Sequence, residues 1–436
     1  MRMVNKFILI FLFSFHFAYA DVKIDIPVEE IKSDYGIHAW LAENSSSPTI
    51  SIRLDFKNAG YAYDSIPGIA SMVAALLQEG TEKYSADTIA EMLEENGIIL
   101  SCSPNMEYFT VHIKAMPESI DIAFDLLRQM LVNPNFDDKS IERIKLQHTT
   151  LIKELSENPN YIAKKKFFEV MLQKHPYLNP RYGTASSLQA ITRKDLLSYV
   201  ENAFNRLNLT VTVAGDIKSG QLLSLLDKYM IDLPLIAAEV NEIPKLSKFK
   251  AKLPNKVHVP MEIPQTVICF GEGGIDRHDD DFYAAYLLNA IIGGRSLDSE
   301  LMKEIRGKRA LTYNINTELK NHPKMNVILG TTATEYSNVE KMIDSIHEVL
   351  DNIGKNGISS DQFQNFKDYI LNSFIISLNT NDQISKLLSY AQNNQLGTDY
   401  INTFYEGVRS VQIKDVNRVL ERFYNSKNLL IVAVGK

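Results

Sequence analysis

An internal repeat constrains the fold of this chain more than any other feature of its sequence. Residues 195–216 read DLLSYVENAFNRLNLTVTVAGD, and residues 415–436, 220 positions later, read DVNRVLERFYNSKNLLIVAVGK. Six residues match in this register without a gap, at positions 195, 201, 205, 208, 209 and 215 of the first copy. Each copy predicts a helix, a short turn with Asn and an apolar strand that ends in Gly. Such agreement between both residues and predicted elements indicates duplicated domains.

Strand and helix patterns also recur at matching places before each copy. Residues 48–56, PTISIRLDF, alternate with the period of a strand. One face carries Ile50, Ile52, Leu54 and Phe56, and the other carries Thr49, Ser51, Arg53 and Asp55. Residues 108–116 alternate in the same way before an amphipathic helix, and residues 325–333 precede another. The sequence therefore predicts an α+β fold of two homologous tandem domains, each a mostly antiparallel sheet with helices packed on it.

A proline-rich segment separates the two predicted domains. Residues 231–265 contain five prolines, a density that disfavours regular structure and is typical of an exposed linker. We therefore expect an N-terminal domain at 21–232, a linker at 233–264 and a C-terminal domain at 265–436.

The first twenty residues have the pattern of a secretory signal peptide. Arg2 and Lys6 precede an apolar run at residues 7–17, and Ala18-Tyr19-Ala20 follows it as a cleavage site. We expect residues 1–20 to be removed and the mature protein to be exported, periplasmic and soluble, with no membrane span. The alternative is an uncleaved leader that stays as a membrane anchor, although the run is short for a spanning helix.

Composition excludes one class of partner and says little about redox chemistry. The net charge is −7 with no basic stripe along the chain, so we expect no nucleic-acid partner. Cys102 and Cys269 lie in predicted strands and are interpreted as buried thiols, but the sequence leaves open whether they pair.

The stretch GIASMVAALLQEGT, at residues 68–81, predicts a helix whose middle is almost entirely small or apolar. It resembles the metal-binding helix of the insulinase or pitrilysin family of zinc endopeptidases, in the branch that includes mitochondrial processing peptidase. Active members carry His-x-x-Glu-His there, where two His bind zinc and the Glu activates the metal-bound water. The matching positions hold Ser71, Ala74 and Ala75, none of which binds zinc or acts as a general base. The resemblance implies a degenerate metal helix.

The resemblance extends over essentially the whole mature chain. Residues 175–196, which begin HPYLNP, are similar to a signature of the family's first domain, and residues 264–275 resemble the first strand of its second domain. The family's third zinc ligand is a Glu one helix later, where Glu154 and Glu157 have no partner ligands. The nine histidines include no pair four residues apart, and His112 and His347 are interpreted as surface residues. We expect no metal in this chain.

A second motif, GGRSLDSELMKEIRGKRALTY at residues 293–313, matches the substrate-contacting segment of the same branch. The resemblance implies that Arg306 and Tyr313 reach a peptide held at the zinc site of an opposite domain. Tyr313 would donate a hydrogen bond to the developing oxyanion, while Arg306 would orient Tyr313 and contact substrate carbonyls. Gly293 and Gly294 would give a flexible, substrate-binding entry to this segment. Arg295 departs from the small residue that the family often has at its position.

These features lead to one principal hypothesis about function. The resemblance implies a non-catalytic, peptide-binding subunit of a periplasmic heterodimeric zinc peptidase, inactive alone, whose homologous partner carries the zinc. Unfolded peptide would bind by adding a strand to a sheet edge. One alternative is a purely structural family member without a peptide role. Another is an exported peptidase that would bear the name zinc protease by similarity.

Overall fold

The computed structural model describes residues 24–235, 242–246, 256–424 and 426–436. The predicted signal peptide lies outside these ranges. Within them, no helix is both long and apolar enough to cross a membrane. The chain forms two halves, each a sheet with helices packed on it, as the sequence predicts.

The first half contains a six-stranded sheet in the order β1-β2-β6-β3-β5-β4, in which only β2 and β6 pair in parallel. Its elements are β1 (Glu29–Lys32), β2 (His38–Glu43), β3 (Ile50–Lys57), α1 (Ile69–Leu76), α2 (Ala86–Glu95), β4 (Ile99–Pro104), β5 (Tyr108–Ala115), α3 (Ile120–Val132), α4 (Asp138–Glu157), α5 (Pro159–Leu172), α6 (Ala185–Ala190), α7 (Arg193–Ala203), β6 (Leu209–Gly215) and α8 (Ser219–Met230).

The second half contains a five-stranded sheet in the order β7-β11-β8-β10-β9, in which only β7 and β11 pair in parallel. Its elements are β7 (Lys256–Pro260), β8 (Gln265–Gly273), α9 (Phe282–Gly293), a π-helix (Met302–Lys308), β9 (Ile315–His322), β10 (Met325–Glu335), α10 (Val339–Asn356), α11 (Ser360–Ile376), α12 (Asn381–Asn393), α13 (Tyr400–Ser410), α14 (Ile413–Arg422) and β11 (Leu430–Gly435). Equivalent elements follow one another in both halves, which confirms the tandem α+β prediction.

The repeated residues serve equivalent structural purposes in the two copies. Asp195 accepts a hydrogen bond from the backbone N–H of Thr192 at 2.8 Å, and Asp415 accepts one from Gln412 at 2.9 Å. Each carboxylate thus caps the first turn of its helix, α7 or α14. The last residue of each repeated strand is a glycine that packs against a neighbouring strand, with no room for a side chain. The repeat therefore reports on folding rather than on catalysis.

Each half contributes one helix to the sheet of the other half. Helix α5 packs against β8 and β11, and α12 packs against β3 and β6. The remaining helices of each half cover the opposite face of their own sheet. Both central sheets are therefore buried on two faces, and the two halves share their cores.

The predicted linker at 233–264 was wrong in its C-terminal part. Residues 256–260 form β7, which pairs with the last strand of the chain, Val257 opposite Val432. Val257 and Val259 alternate with polar residues, as in a half-buried strand. Pro260 ends β7 at the edge of the sheet, where a missing N–H donor is tolerated. The second sheet therefore begins before residue 265.

Both cysteines lie in strands as free thiols, and the predicted burial is met at Cys269 but only in part at Cys102. Cys102 lies half-buried on β4, and Cys269 is buried on β8. Burial raises the pKa of each thiol to about 12, so neither is a reactive thiolate at neutral pH.

Candidate functional site

Helix α1, the degenerate metal helix, is shorter than the predicted 68–81. It begins at Ile69 because Asp64 accepts hydrogen bonds from the N–H groups of Gly68 at 2.9 Å and Ala70 at 3.4 Å. It ends at Leu76, and Gly80, with φ of 132°, then forms a β-bridge with Ser85. Burial raises the pKa of Asp64 to about 8. The sequence pattern from which the helix was predicted runs on as far as this bridge. The predicted C-terminal end of the helix, at residue 81, was therefore wrong.

The three positions that correspond to the metal motif have small side chains with structural surroundings. Ser71 is buried, and its hydroxyl donates to the carbonyl oxygen of Arg181 at 2.6 Å. Ala74 and Ala75 are half-buried and pack against the apolar core of the first half. The Ser71 hydrogen bond therefore connects α1 to a neighbouring loop. No side chain at the three positions offers a metal ligand.

The acidic residues one helix later do not complete a metal site. Glu154 and Glu157 lie on α4 with exposed side chains. Within the described ranges, no group of three or more His, Cys, Asp or Glu side chains is placed to hold a metal ion. The residues present therefore do not fit a zinc ion at this position.

Two histidines that stand alone in the sequence are covered by other parts of the chain, His112 in part and His148 almost completely. His112 was predicted to lie on the surface, but its Nε2 atom is 2.8 Å from Asp382 on α12 and 3.1 Å from the Ser51 hydroxyl. That prediction was wrong because α12 covers the polar face of β3 and β5. His148 on α4 is buried edge-on against Tyr182, and its Nδ1 has no partner among the described residues. Burial lowers the pKa of His148.

The glycine pair of the second motif is held by close packing. A Cβ atom on Gly293 would come within 2.5 Å of the Thr317 hydroxyl, and one on Gly294 within 2.7 Å of the Ala290 carbonyl oxygen. Neither glycine has a positive φ. The expected flexible entry is therefore a tightly packed end of α9. Arg295 follows it with an exposed side chain that pairs with Glu318 at 2.8 Å.

Arg306 lies in the π-helix, and Tyr313 lies in the loop between it and β9. The wide π-helical turn buries Met302 and Ile305 and leaves Arg306 exposed to solvent. The Tyr313 side chain is 85% exposed. Neither side chain has a hydrogen-bond or ion-pair partner in the described part of the chain. π-Helical turns occur frequently at functional sites, which makes this segment a candidate on geometric grounds.

The loop that carries Tyr313 is fixed by hydrogen bonds on both sides of it. Thr334 donates to the Leu311 carbonyl oxygen at 2.7 Å, and Thr332 donates to the Asn314 carbonyl oxygen at 2.9 Å. Thr312 also donates to the Asn314 carbonyl oxygen, at 3.0 Å. An exposed aromatic side chain on a fixed backbone loses little conformational entropy on binding, as in a preformed contact for a partner molecule.

A cavity of about 580 Å³ lies between the two halves, next to this loop. Three basic side chains, Lys164, Arg295 and Lys320, line it together with one acidic side chain, Glu318. Sequence reasoning missed this cavity because its walls come from α5, β9 and β10, which are far apart in the chain. The cluster of lysines at 164–166 is the only local signal, and it looks like a solvated helix face.

Comparison with known proteins identifies the family to which the two halves are similar. Residues 40–185 match the family model described as Insulinase (Peptidase family M16), and residues 190–369 match the one described as Peptidase M16 inactive domain. The chain belongs to the insulinase family, peptidase family M16. The absence of the metal motif from α1 makes it an inactive-type member.

Individual relatives match at low identity and over different shares of the chain. A Helicobacter pylori protein named non-peptidase homolog YmxG is 23% identical over 398 residues, which cover 90% of each chain. The beta subunit of the mitochondrial-processing peptidase of Neurospora crassa is 25% identical over 53% of this chain and 48% of its own. A solved structure of a peptidase M16 inactive domain from Pseudomonas fluorescens superposes with a TM-score of 0.87. It is 23% identical and covers 94% of this chain and 98% of that one, which supports the fold.

Proposed function

We propose that this protein is the non-catalytic, peptide-binding subunit of a periplasmic heterodimeric zinc peptidase. Its homologous partner supplies the zinc ion and the nucleophilic water. This chain supplies Tyr313, which donates a hydrogen bond to the developing oxyanion, and Arg306, which orients Tyr313 and contacts peptide carbonyl groups.

One observation carries this proposal: Tyr313 is 85% exposed, yet the loop on which it lies is fixed at both ends by threonine hydroxyls. A structural tyrosine normally buries its ring and finds a partner for its hydroxyl. Tyr313 does neither within the described residues, so its ring and hydroxyl are available to another molecule.

The relatives support a role within an assembly rather than alone. The Neurospora protein is named as a subunit, and so is the bovine cytochrome b-c1 complex subunit 1, which is 24% identical over 63% of this chain. The bovine name fits the structural alternative better than the peptide-binding one. The two candidates therefore need an experiment that separates peptide chemistry from assembly.

The first experiment asks whether the partner exists. Affinity purification of the tagged protein from the native periplasm is expected to bring along a homologous chain with His-x-x-Glu-His. The purified protein alone is expected to hold no stoichiometric zinc and to leave unstructured peptides uncut. One tightly held zinc per chain after dialysis would contradict the assignment of zinc to the partner.

The second experiment tests Tyr313 in the reconstituted pair. Tyr313→Phe removes the hydroxyl and preserves the ring, so peptide turnover is expected to fall about 10²–10³-fold, the usual effect of losing one oxyanion donor. The loss is expected in kcat with little change in KM, because the bond strengthens in the transition state. Tyr336→Phe is the matched control, since Tyr336 is also exposed, at 58%.

The same reconstituted pair of subunits also distinguishes the peptide-binding role from the purely structural one. If Tyr313→Phe leaves turnover unchanged while the complex stays intact by gel filtration, Tyr313 has no oxyanion role. Arg306→Lys provides a second measurement, because an ammonium group cannot reproduce the planar fork of guanidinium.

A further inference from the structure

Arg277, in the loop between β8 and α9, is a buried cation surrounded by aromatic rings. The residue is 7% exposed, and its guanidinium carbon lies 4.0 Å from the ring centroid of Phe282 and 5.2 Å from those of Tyr283 and Tyr400. One terminal nitrogen, Nη2, is 3.4 Å from the Tyr283 hydroxyl. The Nε atom is buried with no hydrogen-bond partner among the described residues.

No carboxylate of the described chain neutralises Arg277. The adjacent Asp276 is already paired with Lys245 at 2.5 Å and accepts the His278 N–H at 3.0 Å. Asp279 pairs with Arg422 instead, at 3.0 Å. A buried charge without a counter-ion is costly, and aromatic faces offset only part of that cost.

A cavity of about 150 Å³ lies beside this arginine. Its lining includes Arg277, Lys245, Asp276 and His278, together with the amide side chains of Asn321 and Asn394. The amide nitrogens of Asn321 and Asn394 already donate to the carbonyl oxygens of Ile275 and Tyr390. Of the Lys and Arg side chains in the lining, Lys245 is paired with Asp276, which leaves the guanidinium of Arg277 to bind a ligand.

The charge of the cavity matches a monovalent anion. Lys245 and Asp276 cancel each other, and burial lowers the pKa of the lining His322 to about 4, so that imidazole is neutral at pH 7. Arg277 then leaves one net positive charge. A carboxylate carries one negative charge and matches the planar fork of a guanidinium, whereas phosphate carries up to two charges.

We propose that this cavity is a binding site for a carboxylate, carried by a small organic acid or by the C-terminus of a peptide. The guanidinium of Arg277 pairs with the carboxylate, and the ammonium of Lys245 holds it from the rim. The site lies apart from Arg306 and Tyr313 and does not depend on the peptidase proposal.

The test measures the Tm of the full mature chain at constant ionic strength with three probes. N-acetylglycine supplies a carboxylate with a peptide bond, N-acetylglycinamide is its uncharged match, and acetate shows whether the carboxylate alone is enough. A saturable rise in Tm with N-acetylglycine and none with its amide is expected. Acetate binding as tightly as N-acetylglycine would indicate a small acid, and weaker binding would indicate a peptide end.

Two variants assign the effect to the cavity. Arg277→Met is expected to abolish the rise in Tm. Lys245→Gln changes an exposed side chain and leaves Asp276 uncompensated, so the apparent Kd is expected to increase about tenfold or more. If Arg277→Met does not fold, Lys245→Gln decides by itself. An unchanged response in Lys245→Gln, a response to inorganic phosphate alone, or no response to either carboxylate would overturn the proposal.

Discussion

Helices α5 and α12 occupy equivalent places in the two halves, and each crosses to the sheet of the other half, but their contacts differ in chemistry. The α5 contact is apolar. Ala163, Phe167 and Met171 pack into one buried cluster with residues from the sheet of the second half, namely Val267, Cys269, Val327, Leu329, Val432 and Val434.

The α12 contact combines a small apolar part with an extended polar network. Asp55, a buried residue of β3, accepts hydrogen bonds from Thr110 at 2.5 Å, Ser389 at 2.5 Å and Asn393 at 2.9 Å. Asp382 on α12 pairs with Arg53 at 2.7 Å and His112 at 2.8 Å.

The difference shows that one exchange of helices can be stabilised in two ways. Apolar burial is tolerant of geometry and independent of pH. A buried polar network stabilises only when every member has its partner, and it responds to protonation. We therefore expect the two contacts to fail under different conditions, and the following changes test that expectation.

The largest effect is expected in the α5 contact, from Phe167→Ala. Phe167 is fully buried, and its ring lies against Gly271 of β8, where a side chain would not fit. The free energy of unfolding is expected to fall by about 3–5 kcal/mol, the usual loss for a buried Phe. Urea unfolding measures it, with Phe168→Ala, a half-buried neighbour on the same helix, as the control. Equal losses in the two variants would contradict an α5 contact centred on Phe167.

Asp55→Ala is expected to have the next largest effect, in the α12 contact. It leaves Thr110, Ser389 and Asn393 without their acceptor, at a cost of about 2–3 kcal/mol of unfolding free energy. The double variant Asp55→Ala, Ser389→Ala is expected to be more stable than the sum of the single losses, because one orphaned donor is removed. Simple additivity would show that the network is not coupled.

A pH dependence is expected from His112, which faces Asp382, Arg53 and Lys114. Burial, and then Arg53, lower its pKa from 6.5 to about 4, although Asp382 acts in the opposite direction. Because the folded state disfavours the proton, this stability is present above pH 6.5 and is lost as the pH falls towards 4. About 1–2 kcal/mol is expected to disappear between pH 7 and pH 5.

Denaturant titrations at the two pH values measure this change, and His112→Gln provides the control. Gln does not titrate in this range, so the His112 contribution to the slope is expected to vanish in that variant. Phe167→Ala is expected to keep the slope of the wild type, because the α5 contact contains no part of this network. The same slope in His112→Gln and in the wild type would assign the pH dependence to other groups.

The smallest effect is expected from Ser385→Ala. Its hydroxyl lies 2.8 Å from the Ser51 hydroxyl and donates to the Asp382 carbonyl oxygen at 3.0 Å, in a buried position. Loss of this group is expected to cost about 1 kcal/mol. Ser373→Ala on α11, a half-exposed serine, is expected to change the melting temperature very little. A larger loss of unfolding free energy in Ser385→Ala than in Asp55→Ala would show that Ser385, and not Asp55, contributes most to the network.

The sequence predicts the apolar half of this architecture and misses the polar half. Ile50, Ile52, Leu54 and Phe56 alternate along β3, so their burial follows from the period of a strand. Ser51 and Asp55 belong to the other face, which looks solvent-exposed in the sequence. Their partners on α12 are two serines, one asparagine and one aspartate more than 300 residues later, and polar pairing leaves no hydrophobic period to detect.

Of the candidate sites, some could be predicted from the sequence and others could be found only in the structure. Resemblance to the family identifies Ser71, Ala74 and Ala75, because it compares residues position by position. It also points to Arg306 and Tyr313, whose roles remain predictions. The π-helical turn and the cavity beside Arg277 depend on backbone registration and on contacts between distant segments, for which a single sequence carries no signal.

The exchange of helices also has a consequence for the order in which the protein is made. During synthesis from the N-terminus, α5 emerges before either of its partner strands, and β11 is the last strand of the chain. The sheet against which the apolar face of α5 packs is therefore incomplete until β11, the last strand, has been made. Helix α12 emerges after all six strands of the first sheet, so the sheet against which it packs has already been made. The polar α12 contact can therefore form as soon as α12 is made, whereas the apolar α5 contact can be completed only after β11 is made.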